Sequence, residues 1–153
     1  MDQGLRDRLQ DRLQRAVAAG EDCAASTLRL ILTAIRDRDR AADLQGVEPV
    51  SDADILAMLV EMVAQRKAEI GRCEQCAQLE MAEREAREIA VIESFLPKRM
   101  SGPELTKAVD AAIAQVAAVE LRDAGRVMSA LRERHAGAVD LQAAKRIVSE
   151  RLH

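Results

Sequence analysis

Ser26-Thr27-Leu28-Arg29-Leu30-Ile31-Leu32-Thr33-Ala34-Ile35 decides the fold class of this chain. Leu28, Ile31, Leu32 and Ile35 recur at i, i+3, i+4 and i+7, the spacing that gathers apolar side chains on one face of a helix. Working outward, the helix covers residues 23 to 43. A turn at Gly20 to Asp22 precedes it, and Arg36-Asp37-Arg38-Asp39-Arg40 reads as its exposed, self-compensating end.

The same period runs through the rest of the chain. Residues 3 to 19 place Leu5, Leu9, Leu13 and Val17 at i, i+4 spacing. Asp7 and Asp11 interleave with its arginines, which removes the cationic face that a membrane-surface helix needs, so packing is the better account. Gln45 to Val50 is a loop, and Ser51-Asp52-Ala53-Asp54 caps a third helix with Ile55, Leu59, Met62, Val63 and Ile70 inward, through to about Arg72. After a break at Gln75 to Gln78, Ala82, Ala86, Ile89, Ile92 and Leu96 mark a fourth helix that Pro97 stops. Ser101-Gly102-Pro103-Glu104 opens a fifth helix carrying Leu105, Val109, Ile113 and Val116. A sixth runs from about Leu121 to Arg134 with Val127 and Leu131 inward, and Asp140 caps a seventh with Leu141, Ala144, Val148 and Leu152. The expected fold is therefore all-α with about seven helices, an N-terminal helical domain over 1–97 and a three-helix domain over 98–153.

Composition agrees with this. The strand signature of alternating β-branched and aromatic residues is absent, and Phe95 is the only aromatic residue, so aliphatic side chains and Met must fill the core, which suits close helix packing. Net charge is −3 but unevenly spread: residues 1 to 97 carry 13 Lys and Arg against 19 Asp and Glu, residues 98 to 153 carry 10 against 7. The basic character lies in the C-terminal third. The N-terminus has acidic residues and no apolar run, and no stretch reaches membrane-spanning length, which points to a cytoplasmic protein with its three cysteines reduced.

Five short runs, in order and at their spacing, resemble the YqeY family, small helical proteins related to the tail domain of the B subunit of tRNA-dependent amidotransferases. They are Ser26-Thr27-Leu28-Arg29, Gln65-Arg66-Lys67, Phe95-Leu96-Pro97-Lys98, Gly125-Arg126-Val127-Met128 and Ile147-Val148-Ser149-Glu150-Arg151-Leu152. The resemblance implies a helical domain followed by a three-helix domain. It also implies association with tRNA without catalysis, because amidation in that enzyme occurs in a separate, larger part, so a carbon–nitrogen ligase label would be inherited rather than earned by residues here. Family members usually carry Gly-Arg-Ala-Asp-Gly before the last helix. Here the stretch is Gly137-Ala138-Val139-Asp140-Leu141, so Ala138 stands in place of the family's loop arginine and Leu141 in place of its second glycine.

Catalytic constellations are not legible. Cys73-Glu74-Gln75-Cys76 has zinc or redox spacing, but the only further Cys or His ligands are Cys23, His135 and His153, and the pair ends a helix instead of beginning one. A regulatory disulfide and a chance pairing both remain open for it. His135 fits a capping or half-buried place at the end of the sixth helix. Glutamates on the fourth helix lack the Glu-x-x-His pairs of a di-metal bundle, and no glycine-rich phosphate loop follows a strand. No cofactor or metal is implied.

Binding is the function that remains. Lys98, Arg99, Arg122, Arg126, Arg132, Arg134, Lys145, Arg146 and Arg151 could meet phosphate electrostatically. With one aromatic residue, base stacking is not the mode, which leaves a folded RNA such as tRNA, read by shape and backbone. Arg126, Lys145 and Arg146 are the expected phosphate contacts, with Lys98 at the junction as a fourth. The rival expectation is a protein-interaction module, its helices packed on a protein partner and its basic residues solvated.

Overall fold

The computed structural model describes residues 4–153. Among them lie seven α-helices and no strand: α1 Leu5–Ala19, α2 Asp22–Leu44, α3 Asp52–Gln75, α4 Leu79–Glu93, α5 Gly102–Val116, α6 Ala124–Arg134 and α7 Leu141–Arg151. A single turn of 3-10 helix, Leu121–Asp123, leads into α6. The protein is all-α, as the periodicity predicts. The expected start at Gln3 and the leading Met1-Asp2 lie outside the described residues. The chain forms two compact units, one ending at Leu96 and the other beginning at Pro97.

In the first unit α1 packs on α2, and α4 packs on both α2 and α3. Leu9, Leu28, Ile31, Ile55, Leu59 and Ile92 are fully buried, each worth about 1.5–3 kcal/mol of transfer from water. Phe95 joins this core, with the Arg8 guanidinium 5.8 Å from its ring centroid. Ser51 begins α3 with the expected reciprocal cap: its hydroxyl accepts from the Asp54 N–H, and the Asp54 carboxylate accepts from the Ser51 N–H.

Departures from the sequence pattern fall on three helices. On α1 the seam holds for Leu5 and Leu9, but Val17 is 53% exposed and Ala16 is buried instead. Each i+4 step overshoots a full turn by about 40°, so Val17 lies roughly 120° from Leu5, whereas Ala16 returns to within about 20°. Ala86 on α4 is exposed, and α4 ends at Glu93, where a tight turn takes over before Pro97 is reached. The last departure is Asp39, on α2. It does not compensate its own arginine run but pairs with Arg6 of α1 and accepts the Val50 N–H at 2.9 Å. That clasp ties α1, α2 and the approach to α3.

In the second unit α5 packs on α6 and α7, and α6 on α7. Val109, Val127, Leu131, Ala144 and Val148 form its sealed centre, with Val139 and Leu152 closing it. Caps open two of its helices. Ser101 accepts the Glu104 N–H, and Asp140 accepts the N–H groups of Gln142 and Ala143. The Met100 N–H donates to the Ala138 carbonyl at 2.9 Å, fastening the entry of α5 to the α6–α7 loop.

Candidate nucleic-acid interface

The ten basic side chains of the second unit divide by whether an acid neutralises them. Arg99 meets Asp140 at 3.9 Å, Arg122 meets Glu120 at 2.7 Å, Arg126 meets Asp123 at 2.9 Å and Arg151 meets Asp110 at 3.1 Å. Lys98, Lys107, Arg132, Arg134, Lys145 and Arg146 are exposed, with no ion-pair partner among the described residues. Sequence reasoning named these cations without Lys107 and could not sort them, because three of the four pairs fix their geometry through tertiary placement or a non-helical turn.

Lys145 and Arg146 both face water on α7. Arg146 lies about 160° from Ala144 and Val148, whereas Lys145 borders the buried face, about 60° from Val148. Lys98 is exposed three residues ahead of the Ser101 cap. The Met100–Ala138 bond and the Arg99–Asp140 pair hold that segment beside the loop that starts α7, so Lys98 lies at the same end of the unit as the first turns of α7.

Arg126 lies at the other end. Its guanidinium donates to the Val116 carbonyl at 3.2 Å and to Asp123 Oδ1 at 2.9 Å, locking the last turn of α5 to the first turn of α6. Asp123 also accepts the N–H groups of Val119 and Glu120. Those two backbone donors, then Arg126, pull its carboxyl down to about 2. The length of α5, roughly 21 Å for its fifteen residues, separates Arg126 from Lys98. Of the four expected contacts, the fold therefore sets Lys98 and Arg126 at opposite ends of the unit, with Lys145 and Arg146 in the second turn of α7 between them.

The loop ahead of α7 is built for closure. Gly137 takes φ 80°, in the left-handed region that suits glycine, and Val139 is buried. Ala138 is half-buried, with its N–H on the His135 carbonyl and its own carbonyl holding Met100. Leu141 packs half-buried against the unit's core. His135 is half-buried and ends α6, its N–H on the Leu131 carbonyl.

Cys73 is buried in the last turn of α3, and burial first, then the nearby Glu69, raises its thiol pKa. Cys76 ends that helix and is exposed. The resolving or attacking thiolate of a redox pair needs the opposite environment. Between α3 and α4, Arg66 donates to Glu88 at 2.9 Å and to the Met62 carbonyl at 3.3 Å, with Glu85 4.0 Å away. Burial, then Glu88, raises the Glu85 pKa. Lys67 reaches Glu93 at 3.8 Å, so the Gln65-Arg66-Lys67 run serves as a clamp on α4. No group of three or more His, Cys, Asp or Glu among the described residues is placed to hold a metal. An open cavity of about 290 Å³ lies between the start of α2 and α4, lined by Glu21, Asp22, Cys23, Ala24, Arg87 and Val91. No described helix is long and apolar enough to cross a membrane.

The family model described as YqeY-like protein matches residues 6–152, nearly the whole chain. No curated protein matches the chain.

Proposed function

The chain belongs to the YqeY-like protein family, and on that premise we propose that it is a non-catalytic accessory protein that binds folded RNA, tRNA in the first instance, through its C-terminal unit. The observation that carries this is the surplus of exposed cations without acidic partners on that unit, Lys98, Lys145 and Arg146 among them. Such side chains displace counterions from a phosphate backbone, and that gain does not require the unit to read base edges. The C-terminal unit has no aromatic residue, so phosphate and shape dominate. The resemblance to an amidotransferase tail domain favours tRNA over other folded RNAs.

The test is affinity for bulk tRNA across a salt series, beside a Lys145→Glu/Arg146→Glu variant. Three phosphate contacts imply a fall of roughly 40-fold between about 50 and 200 mM salt. The variant should bind weakly while keeping its helical content. Affinity indifferent to both salt and charge reversal would end the proposal.

A protein partner is the second possibility, favoured by apolar side chains left in water. Leu79 and Met81 at the start of α4 are 63% and 49% exposed, and Val119 and Leu121 ahead of α6 are 74% and 54% exposed. Retention of a single protein, rather than RNA, on the immobilised chain would favour this alternative.

A further inference from the structure

Charge in the C-terminal unit is sorted by end. In the half that takes in the entry and first turns of α5, the last turn of α6, the α6–α7 loop and α7 as far as its middle lie Lys98, Arg99, Lys107, Arg132, Arg134, Lys145 and Arg146, against the acids Glu104, Glu133 and Asp140. Of those acids only Asp140 is paired, with Arg99, and it is also spent on the N–H groups that begin α7. At the opposite end Arg122 and Arg126 are each closed by an acid three residues or fewer away, and Arg151 by Asp110. The opposite end therefore offers paired charge, and the α7-entry end offers free positive charge.

We infer that the phosphate-binding surface is the α7-entry end, made of Lys98, Arg134, Lys145 and Arg146 around the 135–140 loop, and that Arg126 is a positioning residue that touches no RNA. Arg134 joins the set because it is the last residue of α6 and exposed, directly ahead of His135, whose carbonyl receives the Ala138 N–H. Met100 donates to that same Ala138, which brings the Lys98 segment alongside. Free cations flanking one loop fit a run of backbone phosphates on a folded strand, a target whose charge is regular and whose sequence need not be read. Arg126 already satisfies a carboxylate and a helix-terminal carbonyl. Moving it to a phosphate would give up both bonds, and with them the link that keeps α5 and α6 in register.

This inference rests on the RNA proposal, and the experiment separates the two. The full chain, with single Arg134→Glu and Arg126→Ala variants, is titrated with tRNA and, by amide NMR, with inorganic triphosphate. Arg134→Glu should weaken tRNA binding roughly tenfold and flatten the salt slope by about one contact. Arg126→Ala should lower the melting temperature and leave affinity and slope unchanged. Equal loss of affinity in a folded Arg126→Ala protein, or none in Arg134→Glu, overturns the assignment. If the wild-type chain fails to bind tRNA, the RNA proposal falls, and triphosphate then decides the site. Shifts gathered at residues 98–100, 134–140 and 144–147 sustain it, whereas shifts at 117–126, or none, refute it.

Discussion

Arg6 on α1 and Asp39 on α2 meet in a two-armed ion pair, Nη1 to Oδ2 at 2.6 Å and Nη2 to Oδ1 at 2.9 Å. The same guanidinium donates to the Val50 carbonyl at 2.7 Å, and the same carboxylate accepts the Val50 N–H. Parallel arms of this kind are stronger and more directional than a single surface contact, and here they also satisfy loop backbone. Arg6→Leu and Asp39→Asn should each lower the melting temperature by a few degrees. The double variant should lose less than the two losses added, because each change strands the same partners. Simple additivity in that cycle would show that the pair does not couple the helices. Arg6 holds the Asp39 carboxyl below its ordinary range, so the stabilisation is present above about pH 4 and fades as acid protonates Asp39 at its lower folded value.

Asp123 supplies the sharper pH signature. Its carboxyl is pulled down to about 2 by the Val119 and Glu120 N–H groups and by Arg126. A depressed folded value means the proton binds the unfolded chain first, so the contribution is complete above the unfolded value near 4 and disappears between there and about 2. Stability of the C-terminal unit in Asp123→Asn should lie below wild type at neutral pH and converge on it in acid. A carboxyl resonance of Asp123 that titrates near 4 in the folded protein would contradict the assigned hydrogen bonds.

Cys73 and Cys76 should behave as two unrelated thiols. Iodoacetamide should label exposed Cys76 at least about tenfold faster than buried Cys73 in the native protein, and the difference should vanish in denaturant. Equal native rates, or a ready disulfide between them under mild oxidant, would restore the regulatory role that the spacing suggested.

The helices were legible because apolar period and caps are local. Ser51, Ser101 and Asp140 each sit in a capping position with the residue pattern that marks one, and each caps. Val17 was misplaced because i, i+4 spacing tracks a helix face for only two or three steps before drift moves it away. The cations could be listed from sequence but not sorted. Asp123 stands three residues ahead of Arg126 in the sequence, but the Val119 and Glu120 N–H groups that fix it, and the Val116 carbonyl that shares the guanidinium, come from the turn between α5 and α6. Asp39 was hidden for the same reason, since its partner lies 33 residues away.

Helix endings carry the last such distinction and the last prediction. Four helices finish by the same closure, an N–H bonding to the carbonyl five residues back across a left-handed residue. Glu21 bonds to Ala16, Val47 to Ala42, Gln78 to Cys73 and Ala118 to Ile113. The left-handed position is Gly20 or Gly46 in the first two, but Ala77 and Ala117, at φ 57° and 52°, in the others. Only the glycines announced their turns in sequence. An alanine there crowds its Cβ against the backbone at a cost of about 1–2 kcal/mol, which glycine avoids. Ala77→Gly and Ala117→Gly should therefore each stabilise the protein, by about 0.5–1 kcal/mol after allowing for the freer unfolded chain. Gly20→Ala and Gly46→Ala should do the reverse by a similar amount. A Cβ at either glycine would meet nothing within 4 Å, so backbone strain alone sets the loss. Denaturant melts of the four variants decide the matter. If the alanine replacements fail to stabilise while the glycine replacements destabilise, the left-handed geometry at Ala77 and Ala117 is wrong.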